Sequence, residues 1–237
     1  MSKTKEKKTI KEKAYEVISK SGIAVIQKIF PEYFAKQPLR PTDRYIEYSF
    51  ATENLPSTPA KILDVGCAGS FFPLLLAGFG YQTYGLDIRE YAITNKISFK
   101  NFNFVKESVI KTSFQDNFFD AITAISTLEH IGISGRHGEK EDLQADKKAL
   151  AEMVRILKNQ GTIILTIPFG KAKIIRPYAR IYDSKLVEEL IKPLKIVKDA
   201  YFMIDESGDW AECSRQKAET FDATEGEYPL CLLKLLK

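Results

Sequence analysis

Two carboxylates and a glycine-bearing turn carry the first chemical signal in this 237-residue chain. An apolar run, Ile62 to Val65, contains Asp64 and leads into Gly66-Cys67-Ala68-Gly69-Ser70; a second run ends in Asp87-Ile88. Glycines in the first turn let backbone approach a nucleotide-like ligand, and an acid closing the second strand accepts hydrogen bonds from ribose hydroxyls. A dinucleotide fits poorly. The G-x-G-x-x-G register puts Ala68 at the second glycine and Phe71 at the third, and Asp64 would repel a diphosphate. A cationic ligand suits Asp64 better. The chain has two histidines, His130 and His137, whose imidazoles titrate near neutrality and suit proton transfer. His130 follows a fourth apolar run and faces the expected cleft, either as a base or as a residue that shapes its turn. His137 lies in the glycine-rich stretch Gly132 to Asp142, as base or substrate contact. His130, His137, Glu141 and Asp142 lack metal-ligand spacing, so no metal is expected.

These residues need a sheet to hold them. Strand-like runs at 62–65, around Phe104-Val105, at 121–126 and at 162–167 alternate with helical patterns, which predicts a parallel sheet covered on both faces. Leu143, Ala149, Leu150, Met153, Val154, Ile156 and Leu157 form the inward face of a helix ended by Lys158 to Gly161. Asp183 caps a helix to about Ile191, and Lys195–Met203 with Leu230–Leu236 reads as a final strand pair. Phe71 and Phe72 are expected in the core. Ligands in such sheets sit beyond the carboxyl ends of the strands, which places Ser126, Glu107 and Ser108 beside the glycine turn and Asp87. Upstream, Thr42 or Asp43 caps a helix to about Ala51. Arg40 and Arg44 straddle that cap, as clamps for a ligand carboxylate or as surface arginines paired with Asp43 or Glu47. Residues 9–34 read as one or two helices, a lid or a packed appendage. The expected division is a helical extension over 1–55 and an α/β domain over 56–237.

Composition excludes several classes. Three cysteines, widely spaced and without CxxC, give neither a disulfide framework nor a zinc site and suit a reducing cytoplasm. No stretch approaches the ~18 apolar residues of a membrane span. Six lysines in residues 3–13 account for much of the net charge of +4 and read as a solvated tail, with weak contact to a nucleic acid or membrane surface left open.

Four segments in order, ILDVGCAGS, YGLDI, NFFDAITAISTLEH and EMVRILKNQGTIILTIPFG, resemble the successive motifs of the class I S-adenosylmethionine-dependent methyltransferases, closest to the small-molecule group with LEH after the fourth strand. The resemblance covers Lys61 to Gly170. It implies a Rossmann-like doubly wound seven-stranded sheet in the order 3-2-1-4-5-7-6, the last strand antiparallel, and S-adenosylmethionine as cofactor. Asp64, Gly66, Cys67, Ala68, Gly69 and Ser70 then correspond to the loop around the methionine part, Asp87 to the ribose acid, Ile88 to a neighbour of adenine. Glu107 or Ser108 stands where relatives carry an acid near the adenine amino group. The usual further glycines are Ala68 and Ser70 here.

The acceptor is less legible. No Asn/Asp-Pro-Pro-aromatic follows the fourth strand, and Phe169 rather than a cysteine follows Pro168, which disfavours nucleic-acid bases. Tyr178, Tyr182, Tyr201 and Trp210 suggest an aromatic-walled pocket for a small molecule or glycan, O-methylated, with core packing expected to account for at least half of these aromatics. The alternatives are an RNA or protein acceptor, or a non-catalytic cofactor-binding partner subunit.

Overall fold

The computed structural model describes residues 42–92, 98, 100–133 and 141–237. These fall in the compact unit Pro41–Lys237. The helices expected in residues 9–34 lie outside the described residues.

The described chain begins with α1 (Asp43–Asn54), β1 (Lys61–Val65), α2 (Phe72–Gly78), β2 (Gln82–Asp87) and β3 (Phe102–Lys106). β4 (Phe119–Ile125) leads into a 3-10 turn, Leu128–His130, then α3 (Ala145–Ile156) and β5 (Leu157–Pro168). A hairpin, β6 (Lys173–Ile175) and β7 (Ala179–Ile181), precedes α4 (Ser184–Ile191) and β8 (Lys195–Ile204). β9 (Trp210–Glu212), α5 (Arg215–Glu219) and β10 (Leu230–Leu236) complete it. The main sheet runs β3-β2-β1-β4-β5-β10-β8-β9. The first five strands are parallel, while β10 is antiparallel to both β5 and β8. The expected order is therefore present, with β9 added as an eighth, edge strand and the small hairpin inserted after β5.

Period-two alternation explains why the strands read as unbroken apolar runs. Successive residues of a strand point to opposite faces, and both faces are covered. Leu63, Ile163, Leu165, Cys231 and Leu233 belong to one core with α3 and α4; Ile62, Ile164, Leu230 and Leu232 belong to the other with α1 and α2. Asp183 caps α4 as expected, its carboxylate accepting from Leu186 N–H at 2.8 Å.

Several expectations change. The boundary at 55/56 falls inside the unit that begins at Pro41, because Phe50 and Ala51 of α1 pack in the second core. Lys158 to Gly161 do not cap α3 from outside; they bulge from β5, where Leu157 pairs with Phe119 but Thr162 with Ala121. Lys158 reaches out to Asp120 at 2.6 Å. Leu143 precedes α3 and is exposed, and of the phenylalanine pair only Phe72 is buried, Phe71 being 70% exposed. Adjacent residues at a helix start cannot both face the sheet.

Candidate functional site

A cavity of about 280 Å³ opens beyond the carboxyl ends of β1, β2 and β4, walled on its far side by α1. The turn after β1 shapes its floor. Gly66 adopts φ +79°, and a side chain there would put Cβ 2.4 Å from Thr127 Oγ1, so both backbone and space demand glycine. Gly66 N–H donates to Leu86 O at 2.8 Å, tying the turn to β2. At Gly69, φ is +116° and a Cβ would meet nothing within 4 Å, so the requirement for glycine there is conformational.

Asp64 and Asp87 dominate the electrostatics. Asp64 is buried, and Thr123 Oγ1–H donates to its Oδ1 at 2.7 Å while the residue lines the cavity. Burial pushes its pKa up to about 7, with the nearby Asp87 adding to the rise and Thr123 and Arg44 opposing it. Asp87 is held differently. Ala68 N–H donates to Oδ2 at 2.8 Å, and Arg89 donates from its backbone N (2.9 Å) and Nε (3.1 Å) to Oδ1 and from Nη2 (3.1 Å) to Oδ2. The same Nη2 donates to Ala68 O at 2.6 Å.

Of the other residues singled out by sequence, Ala68, Ser70, Ile88, Glu107, Ser108, Ser126, Arg44 and His130 line the cavity. Their polar groups are partly committed to the protein. Ser70 Oγ meets Tyr48 Oη at 2.9 Å and accepts from Phe72 N–H at 2.9 Å. Glu107 Oε2 accepts from Ser113 N–H at 2.8 Å, folding back on its own turn, and Ile110 N–H approaches Ser108 Oγ at 3.4 Å. Ser126, at φ +42°, gives its hydroxyl to Glu47. Cys67 is not in the cavity wall; it is buried with its sulfur toward Gly85, and burial pushes its pKa up. Arg40 and His137 lie outside the described residues.

His130 Nδ1 lies 2.6 Å from Tyr178 O. A carbonyl only accepts, so Nδ1 carries a proton. Glu129 Oε1 is 3.6 Å from Nε2. The aromatic-walled pocket expected from Tyr178, Tyr182, Tyr201 and Trp210 is not part of this cavity. Tyr182 and Tyr201 are buried core, Tyr201 packing on Phe169 at 5.0 Å between ring centres. The wall's aromatic rings are Tyr48 and Phe72, stacked at 4.6 Å. Tyr48 and Arg89 are not singled out by any motif in the sequence; Glu47, behind the wall, is one of the partners anticipated for Arg44, from which it accepts at 2.5 Å. Arg44, Glu47 and Tyr48 do have i, i+3, i+4 spacing, which puts them on one helix face.

The donor set fits S-adenosylmethionine. Carboxylates at Asp64 and Asp87 suit an ammonium group, a sulfonium and a ribose diol, and Ile88, Val109 and Ile110 supply an apolar wall for a purine. An anionic diphosphate would meet the same acids unfavourably.

Comparison with known proteins points the same way. A family described as "Methyltransferase domain" matches residues 63–165. The chain is 27% identical over 129 residues to the ubiquinone biosynthesis O-methyltransferase of Rickettsia akari, covering 48% of this chain and 51% of that protein. It thus spans about half the length of the curated relative. Among solved structures, a SAM-dependent methyltransferase from Methanosarcina mazei superposes with TM-score 0.56 at 16% identity, over 84% of this chain and 99% of the other. The N-methyltransferase NodS from Bradyrhizobium japonicum WM9, in complex with S-adenosyl-L-homocysteine, gives 0.59 at 15% identity over 84% and 89%. At those identities the structural matches speak for the fold.

Proposed function

We propose that the chain, whose residues 63–165 match the family described as "Methyltransferase domain", is a class I S-adenosylmethionine-dependent methyltransferase that methylates an oxygen of a small-molecule or sugar acceptor. The single observation that carries the proposal is the pairing, in one cavity, of the two buried acids with a histidine whose Nδ1 is held by the Tyr178 carbonyl. Bound S-adenosylmethionine supplies a methyl group on a sulfonium. The chain's own residues bind, orient and move a proton. Asp64 faces the ammonium end, Arg44 the carboxylate, Asp87 the ribose hydroxyls, and Ile88 with Val109 the adenine. Glu107 and the Ser108 backbone border the purine edge. Holding the acceptor in line with the methyl group supplies much of the acceleration.

His130 Nε2 would take the proton that the acceptor hydroxyl gives up, the methyl group for its oxygen being supplied by the S-adenosylmethionine that Asp64, Arg44 and Asp87 would hold. Glu129 Oε1, 3.6 Å away, and Tyr178 O then stabilise the imidazolium. The likeness to an O-methyltransferase supports an oxygen acceptor.

Methyl-labelled S-adenosylmethionine incubated with the full chain and a panel of phenols, hydroxy acids and sugars tests this. A labelled methyl ether is expected, with kcat reduced about 100-fold or more in His130→Asn. Label on nitrogen alone, or unchanged turnover in that variant, rejects the oxygen-directed reading.

A further inference from the structure

We propose that Glu47 is a positioning residue for this site, an inference that rests on reading the cavity as an S-adenosylmethionine site. Glu47 is fully buried on α1, yet it ties together residues 79 and 119 positions away. Its Oε1 accepts from Ser126 Oγ–H and from Thr166 Oγ1–H, both at 2.5 Å. Its Oε2 accepts from Arg44 Nη1 at 2.5 Å. A buried carboxylate is costly unless donors surround it, and three surround this one.

What it holds are two parts of the cavity wall. Arg44 lines the cavity with its side chain 40% exposed, and among the described residues its guanidinium is hydrogen-bonded through Nη1 alone, to Glu47. Ser126 occupies left-handed backbone space at φ +42°, which a residue with a side chain keeps only when its surroundings enforce it. Ser126 N–H also donates to Thr166 O and Oγ1, at 3.1 and 3.0 Å, so Glu47 and the end of β5 clamp it together. The turn Leu128–His130 starts two residues later. One acid therefore sets the spacing between the guanidinium that meets the cofactor carboxylate and the histidine that meets the acceptor.

The test uses two ligands, S-adenosylhomocysteine and 5′-methylthioadenosine, which shares the thioether-bearing adenosine but lacks the amino-acid carboxylate. In Glu47→Gln the amide oxygen still serves the two hydroxyls, but the charge that fixes Arg44 is gone. Calorimetry should show S-adenosylhomocysteine weakened about tenfold and methylthioadenosine within about twofold of wild type. Arg44→Met should do the same, and the double variant no worse than either. Thr166→Val, a milder cut at the same carboxylate, should shift the ratio of the two affinities in the same direction by about threefold, and it decides the matter if Glu47→Gln does not fold. Equal weakening of both ligands, or of neither, overturns the positioning role. Wild-type protein that binds neither ligand overturns the reading of the site itself.

Discussion

Asp64 and Asp87 sit near the carboxyl ends of adjacent parallel strands, both buried, yet the protein treats them in opposite ways. Asp87 is saturated from within by Ala68 and three donors of Arg89. Asp64 has one hydroxyl donor and a pKa raised to about 7. The difference assigns them different work. On the proposed reading, Asp87 is an acceptor that a ligand reaches by displacing Arg89, whereas Asp64 is a charge the fold suppresses until a cation arrives. Burial alone does not make a binding acid; what else it bonds decides how it binds.

The largest expected effect breaks the Asp87 half. Asp87→Ala removes the ribose acceptor and releases both Ala68 N–H and Arg89, and S-adenosylhomocysteine affinity should fall by about 100-fold or more by calorimetry. A loss under tenfold would place the ribose elsewhere.

The Asp64 half shows in stability. In the unfolded chain this acid ionises near 3.8, in the folded apo protein near 7. Its contribution to stability is thus complete below about pH 4 and is lost as pH rises through about 7. Asp64→Asn does not titrate and its carbonyl still accepts from Thr123. Thermal denaturation should show apo Asp64→Asn melting above wild type at pH 8, with the gap closing toward pH 5. A variant that melts below wild type at pH 8 contradicts the suppressed charge.

The smallest effect sharpens the contrast. The Arg89 pair with Asp87 is half-exposed on the arginine side, and such pairs are worth at most about 1 kcal/mol. Arg89→Ala should tighten S-adenosylhomocysteine about threefold by freeing Asp87. Weakened binding instead makes Arg89 a ligand contact.

The contrast also marks how far sequence goes. The glycine turn and both acids were readable because left-handed backbone selects glycine and because strands covered on both faces leave unbroken apolar runs ending where ligands sit. The strand order followed from the motif resemblance. Arg89 folding back on Asp87 is a rotamer choice that no pattern encodes. The Glu47 carboxylate meets Ser126 and Thr166 only after the sheet assembles, so nothing local announces it. Tyr182 and Tyr201 make up the half of the aromatic set expected to pack in the core; which of the four would do so was not legible, because an aromatic residue after the last parallel strand reads the same whether it lines a cavity or fills a core.

Calorimetric titration of S-adenosylhomocysteine between pH 6 and pH 8, in wild type and Asp64→Asn, tests the central claim most directly. If Asp64 meets the ligand ammonium as proposed, it must be ionised, so protonation below about pH 7 should weaken wild-type binding about tenfold from pH 8 to pH 6. The Asn variant should bind more weakly at pH 8 with a flat profile. Parallel profiles in the two proteins, or wild-type binding that strengthens on acidification, would contradict a cation-binding role for Asp64.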